Sequence, residues 1–246
     1  MLNRYGRWFQ VGGITAVMLG ILSAVFFAAT QVSADPQIPR PQVIKDVGAW
    51  KVEHLRVVEQ ANGVSRNAAA GMVHFDTGSK ASIIAYRDAV QKEGQAAFAK
   101  TSTVPALITF AKPLTTDRFV ELMTASGIQV KSFQIRTLTA TGQRAVISGA
   151  PDEKLMLDPS HVARFLTGGP SQRNDVLQGV IVAEGLVNRA NYDTLSKNVQ
   201  EVFLVDIMRA IAHAELVKAG ITDLPMDRIY VTSPYWQMED HGIVTR

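Results

Sequence analysis

The chain has 246 residues, no cysteine, 47% apolar and 19% charged residues, and a formal net charge of +3. The lack of thiols excludes disulfides, cysteine nucleophiles, cysteine-ligated zinc and iron–sulfur centres. Basic residues neither form runs of five or more nor interleave with aromatics, so no nucleic-acid partner is expected.

The opening MLNRYGRWFQ holds Arg4 and Arg7 and no acid, and Val11–Ala29 carries no charge. A helix over this run would reach ~28 Å at ~1.5 Å per residue, against ~30 Å of bilayer hydrocarbon, and its length favours a membrane anchor. Val32-Ser33-Ala34, directly before Asp35, has the small-x-small pattern that a signal peptidase accepts, with cleavage after Ala34. Residues 1–34 are therefore an anchor or a signal peptide. Both outcomes leave the two arginines cytoplasmic and put the rest outside. The protein is then a single-pass membrane protein held through residues 11–29, or a secreted or periplasmic one. Removing residues 1–34 turns 25 basic residues into 23 against 22 acidic ones, a net of +1 that points to no charged partner.

Pro36, Pro39 and Pro41 make residues 35–49 a proline-rich linker, either extended polyproline II or plain disordered spacer. Residues 50–246 suffice for one large domain or for two subdomains, 50–167 and 171–246.

Trp50–Glu59 reads as a strand, Ala61-Asn62-Gly63 as a turn, and Lys80–Lys100 as a helix with Ile83, Tyr86, Val90 and Ala97 on one stripe and Gly94 weakening its second half. VPALITFAK is a strand. Thr115 or Thr116 caps a helix with Phe119, Leu122 and Met123 on its stripe, and Gly127 stops it. IQVKSFQIRTL and QRAVISG follow as paired strands. The pattern recurs after the loop LTGGPSQRND: VLQGVIVAEG as strand, ANYDTLSKN as helix and EVFLVDI as strand. Phe119, Leu122, Phe133 and Ile135 thus run parallel to Tyr192, Leu195, Phe203 and Val205, which fits an internal duplication or the shared periodicity of any two such units. Ile207–Ala219 is a helix stopped by Gly220, RIYVTSPYW a strand turning at Pro234, and QMEDHGIVTR an exposed tail. Two βαβ units with antiparallel partners predict an α+β fold of ferredoxin-like character.

None of the five histidines has the spacing of a helical zinc site. His74 and Asp76 would share one face of a strand, a surface pair rather than a metal site. His213 and Glu215 fall on helix surface, and Glu239-Asp240-His241 reads as solvated charge. The glycines of LTGGP form a bend, and no nucleophile motif or singled-out carboxylate points to catalysis. Asp117, Asp152, Glu153 and Asp193 stand at helix starts or in loops. No catalytic, cofactor or metal site is assigned.

These features favour a non-enzymatic, membrane-anchored module of the cell envelope that pairs with itself or with another envelope protein. Tyr230, Tyr235 and Trp236 are its candidate contact residues, unless they finish the domain's own core. The stretch GVIVAEGLVNRANYDTLSKNVQEVFLVDI resembles the closing β-α-β of the prodomains of subtilisin-like proteases. That resemblance implies a secreted, inhibitor-like binding module and assigns no site residue. A hydrolase with a site gathered from scattered residues is a third reading.

Overall fold

The computed structural model describes residues 41–61, 64–99, 101–139, 141–151, 160, 162 and 176–244. The leader, Ala34, residues 35–40, the turn at Asn62-Gly63 and the loop LTGGPSQRND lie outside the described residues.

A four-stranded sheet opens the fold. Its strands are β1 (Gln42–Asp46), β2 (Lys51–Ala61), β3 (Val64–His74) and the short β9 (Ile229–Tyr230), in that spatial order. The hairpin of β2 and β3 keeps its register from Lys51 opposite His74 to Ala61 opposite Val64. β9 joins β3 in parallel. The expected linker therefore ends earlier than residue 49, because Gln42–Asp46 pairs with β2.

Helix α1 (Lys80–Ala97) is capped by Ser79, whose hydroxyl accepts from the Ser82 N–H, and it buries Ile83, Tyr86 and Val90. A five-stranded antiparallel sheet follows: β4 (Thr103–Leu114), β5 (Gln129–Leu138), β6 (Arg144–Gly149), β7 (Val176–Asn188) and β8 (Val202–Asp206), in the order β6-β5-β7-β4-β8. Helix α2 (Thr116–Ala125) joins β4 to β5, and α3 (Arg189–Lys197) joins β7 to β8. Thr115 caps α2, with its hydroxyl accepting from the Arg118 N–H, and Gly127 ends it in the left-handed region at φ 63°.

The two strand-helix-strand units interleave. β7 lies between β5 and β4, so residues on both sides of the expected boundary at 167–171 build one sheet, and two separate subdomains do not form. Phe119, Leu122, Phe133 and Ile135, with Tyr192, Leu195, Phe203 and Val205, all reach the core. Phe119 meets Phe110 edge-on and Phe133 at a tilt, which packs α2 on one face of the large sheet.

The chain then runs through α4 (Met208–Lys218), a 3-10 turn at Met226–Arg228, β9 and α5 (Tyr235–Asp240). Here the expectations need correction. Only Ile229–Tyr230 of RIYVTSPYW is strand, and Tyr235 and Trp236 begin a helix. The tail QMEDHGIVTR is only partly exposed: Met238, Glu239 and Val244 are buried, while Asp240 and Gly242 face solvent. A hydrogen bond from His241 Nε2 to the Thr77 carbonyl holds it, and one between the Ser233 and Thr109 hydroxyls fixes the residues just before it. Alternating apolar residues with period 2 or 3.6 are scarce in this stretch, so periodicity carried no sign of its burial.

Candidate functional site

Opposed residues of a ladder point to the same side of a sheet. In the small sheet Val43, Glu53, Met72 and Tyr230 stand opposite one another in one row across all four strands. The neighbouring row holds Asp46, Lys51 and His74, and Leu55 stands opposite Ala70. The other side of the sheet turns Trp50, Val52, His54 and Val73 inward, with Gly71 against Leu216 of α4, Leu224 and Ile229. Leu55, Met72 and Tyr230 are half-buried and Val43 is 54% exposed, and none of the four belongs to the hydrophobic core. Glu53 is the fixed point of this outer face: Lys51 Nζ is 2.7 Å and His74 Nε2 3.0 Å from its two carboxylate oxygens. The His74 ring nitrogen lacks hydrogen-bond geometry, so Lys51 is the partner that compensates the carboxylate. The result is an apolar row of moderate size with one compensated charge at its centre.

On the inner side His54 is 6% exposed with no partner for Nε2, and burial, helped by Arg56 and opposed by Asp223, pulls its pKa down. It sits there as a neutral ring.

The large sheet carries polar groups on the face turned away from α2. Asp206, at the end of β8, is 2% exposed; its carboxylate accepts from the Tyr86 hydroxyl at 2.6 Å and from the Met208 N–H at 2.8 Å. Burial pushes its pKa up to about 6, against the opposing pull of these two donors and of Arg209. Tyr86 rises well above its usual value, first through burial and then through the adjacent carboxylate. Its ring stacks on Phe75 with centroids 3.9 Å apart. Arg209 donates to Glu184 and to the Ile229 carbonyl.

Under α5 lies an ion pair. Arg136 of β5 and Glu239 are 4% and 3% exposed, and the guanidinium donates through Nη2 at 2.5 Å and Nε at 3.3 Å. Arg144 of β6 holds Asp240 at 2.7 Å, and this bond is the main reason its pKa rises. Trp236 packs against both guanidinium groups, 5.8 Å from Arg136 and 5.4 Å from Arg144.

Of the three aromatic candidates Tyr230 stands apart, while the Tyr235 and Trp236 rings meet edge-on with centroids 5.7 Å apart. Tyr230 lies on the outer face of the small sheet, Tyr235 is buried in the core, and Trp236 packs between two arginines. Glu239 is not solvated charge but half of a buried pair. His74 and Asp76 do not share a strand face, since β3 ends at His74 and Asp76 serves Gly78 N and Ser82 Oγ at the start of α1. Glu215 of α4 contacts Lys45 of β1 and Lys218 of its own helix. Among the described residues no three His, Asp or Glu side chains are placed to hold a metal ion. Asp206, Arg136 and Arg144 escaped the sequence reading. Asp206 had one usable signal, an acid closing the otherwise apolar run Val202–Val205.

The fold and these clusters define an α+β protein of two antiparallel-rich sheets and several helices. The chain matches no protein-family model, no curated protein and no solved structure.

Proposed function

We propose that the chain is a non-enzymatic, extracytoplasmic interaction module of the cell envelope, anchored through residues 11–29, whose contact surface is the outer face of the small sheet. The carrying observation is the row Val43, Met72 and Tyr230 around the clamped Glu53, apolar side chains that the protein's own core leaves out. Contact is made through the face and not the edge, because β1 is short, carries a bulge between Val43 and Lys45, and bears Lys45 and Asp46, all of which discourage strand addition. The scaffold is ferredoxin-like. Strands β4, β5, β7 and β8 with helices α2 and α3 form a β-α-β-β-α-β series with spatial order β5-β7-β4-β8, and β6 is added at one edge.

The test is crosslinking of the full chain in its native membrane, with Tyr230→Asp and Val43→Asp as variants. Loss of the crosslinked species in both, with unchanged thermal unfolding, supports the reading. Crosslinks that persist in both variants refute it. Intact mass decides the anchor: a mass beginning at Asp35 in the soluble fraction replaces the anchored module with a secreted one.

A further inference from the structure

A second feature, on the other sheet, points to a ligand. Where β5, β6, β7 and α5 meet there is a cleft of about 310 Å³ lined by Arg136, Leu138, Gly142, Arg144, Gln178 and Glu239. Arg136 is nine-tenths buried and uses Nε and Nη2 on Glu239, so among the described residues Nη1 keeps two N–H donors without an acceptor. The Gln178 side-chain amide likewise makes no hydrogen bond among the described residues. The Trp236 ring against both guanidinium groups limits their rotation, so these donors are ordered before any ligand arrives.

Charge and shape narrow the ligand class. Among the described residues two arginines face two acids, Glu239 and Asp240, so these charges balance and a dianion such as phosphate gains little. A free guanidinium end beside an amide matches the planar, two-oxygen geometry of a monocarboxylate. Apolar groups flank the donors. Leu138 lines the cleft, Val146 stands opposite Arg136 and is 37% exposed, and Val176 stands opposite Leu138 and is 58% exposed. The volume equals that of roughly ten water molecules, at the low end for ligand pockets.

We propose that this cleft binds a small monocarboxylate with an apolar substituent, its carboxylate on Arg136 Nη1, Arg144 and Gln178 and its apolar part along Leu138, Val146 and Val176. A free branched-chain acid and the C-terminal carboxylate of a peptide ending in an apolar residue present the same chemistry.

The experiment is isothermal titration of the full chain in detergent micelles with 3-methylbutanoate, with 3-methylbutanamide, and with the tripeptide Ala-Ala-Val as free acid and as amide. Arg144→Gln and Gln178→Leu serve as variants, because both side chains stand outside the buried pair and their loss leaves Arg136 and Glu239 matched. At least one acid is expected to bind at least tenfold more tightly than its amide, and Arg144→Gln to weaken that acid about tenfold, the loss of one charge-assisted hydrogen bond. Binding of the tripeptide acid alone identifies a chain terminus as the source, and binding of 3-methylbutanoate alone a free acid. Either result keeps the proposal. Amides that bind as well as acids, acids that do not bind, or two variants that both bind like the parent overturn it.

Discussion

Asp206 makes stability depend on pH in the direction opposite to most carboxylates. It is buried, has no salt-bridge partner among the described residues, and is pushed up to about 6 from its usual 3.8 because burial disfavours the charge more than the Tyr86 hydroxyl and the Met208 N–H favour it. The folded protein holds this proton more tightly than the unfolded chain. The resulting stability is complete below pH 3.8 and is lost as pH rises through about 6. At 1.36 kcal/mol per pH unit the difference is about 3 kcal/mol. Asp206→Asn removes the titration while keeping the shape. The assay is urea unfolding of parent and variant at pH 3.5, 5, 6 and 7.5, with stability extrapolated to zero denaturant. Relative to the parent, the variant should gain about 3 kcal/mol between pH 3.5 and 7.5, most of it between pH 4 and 6.5. Subtracting the parent cancels every other group, including Glu201, whose contribution has the opposite sign. A difference that stays constant within about 0.5 kcal/mol over this range would refute the reasoning about the buried carboxyl. Tyr86→Phe, which deletes a donor to the carboxylate, should move the midpoint further up.

Glu239→Gln leaves Arg136 buried without its counter-charge and should cost about 3–5 kcal/mol in thermal unfolding, whereas Arg136→Met combined with Glu239→Leu should recover most of the loss. Gly94→Ala should destabilise by about 1–3 kcal/mol in spite of alanine's higher helix propensity, because the new Cβ would lie 2.3 Å from the Tyr192 hydroxyl oxygen; a stabilised variant would disprove that contact. Arg118 grips Glu201 through two bonds of 2.6 Å and holds its pKa near 2. The stability from this pair is present above 4.5 and lost as pH falls through about 2. In Arg118→Gln the Glu201 side chain, followed by NMR titration, should return toward the ordinary carboxylate range.

Much of the α+β architecture could be read from the residues, for reasons visible in particular elements. Thr115 and Gly127 bracket α2 with a cap and a left-handed stop, and the Phe119, Leu122, Met123 stripe buries as periodicity requires. Helix α1 shows a limit of that reading. Gly94 was expected to weaken it, yet the helix continues to Ala97, because the missing side chain makes room for Tyr192 of α3. The ion pair of Arg136 with Glu239 was hidden for another reason. Its members are 103 residues apart, and no local pattern marks an arginine in a strand as the partner of a glutamate in the last helix. The row on the small sheet was half visible, since Tyr230 was singled out as an aromatic, while Val43 and Met72 become its neighbours only through the strand register.

The position of β7 between β5 and β4 has a consequence for biogenesis. While the chain is being made, β4 and β5 have no common neighbour until β7 follows, so the centre of the large sheet forms late and by long-range closure. The arginine of β5 waits longer still, because its counter-charge arrives with the final helix and the guanidinium must keep its hydration until then. A ribosome that stalls, or a protease that trims, anywhere before Glu239 leaves a nearly complete body with an unmatched cation in its interior. Chaperones and quality-control proteases then have a physical means to separate finished chains from unfinished ones.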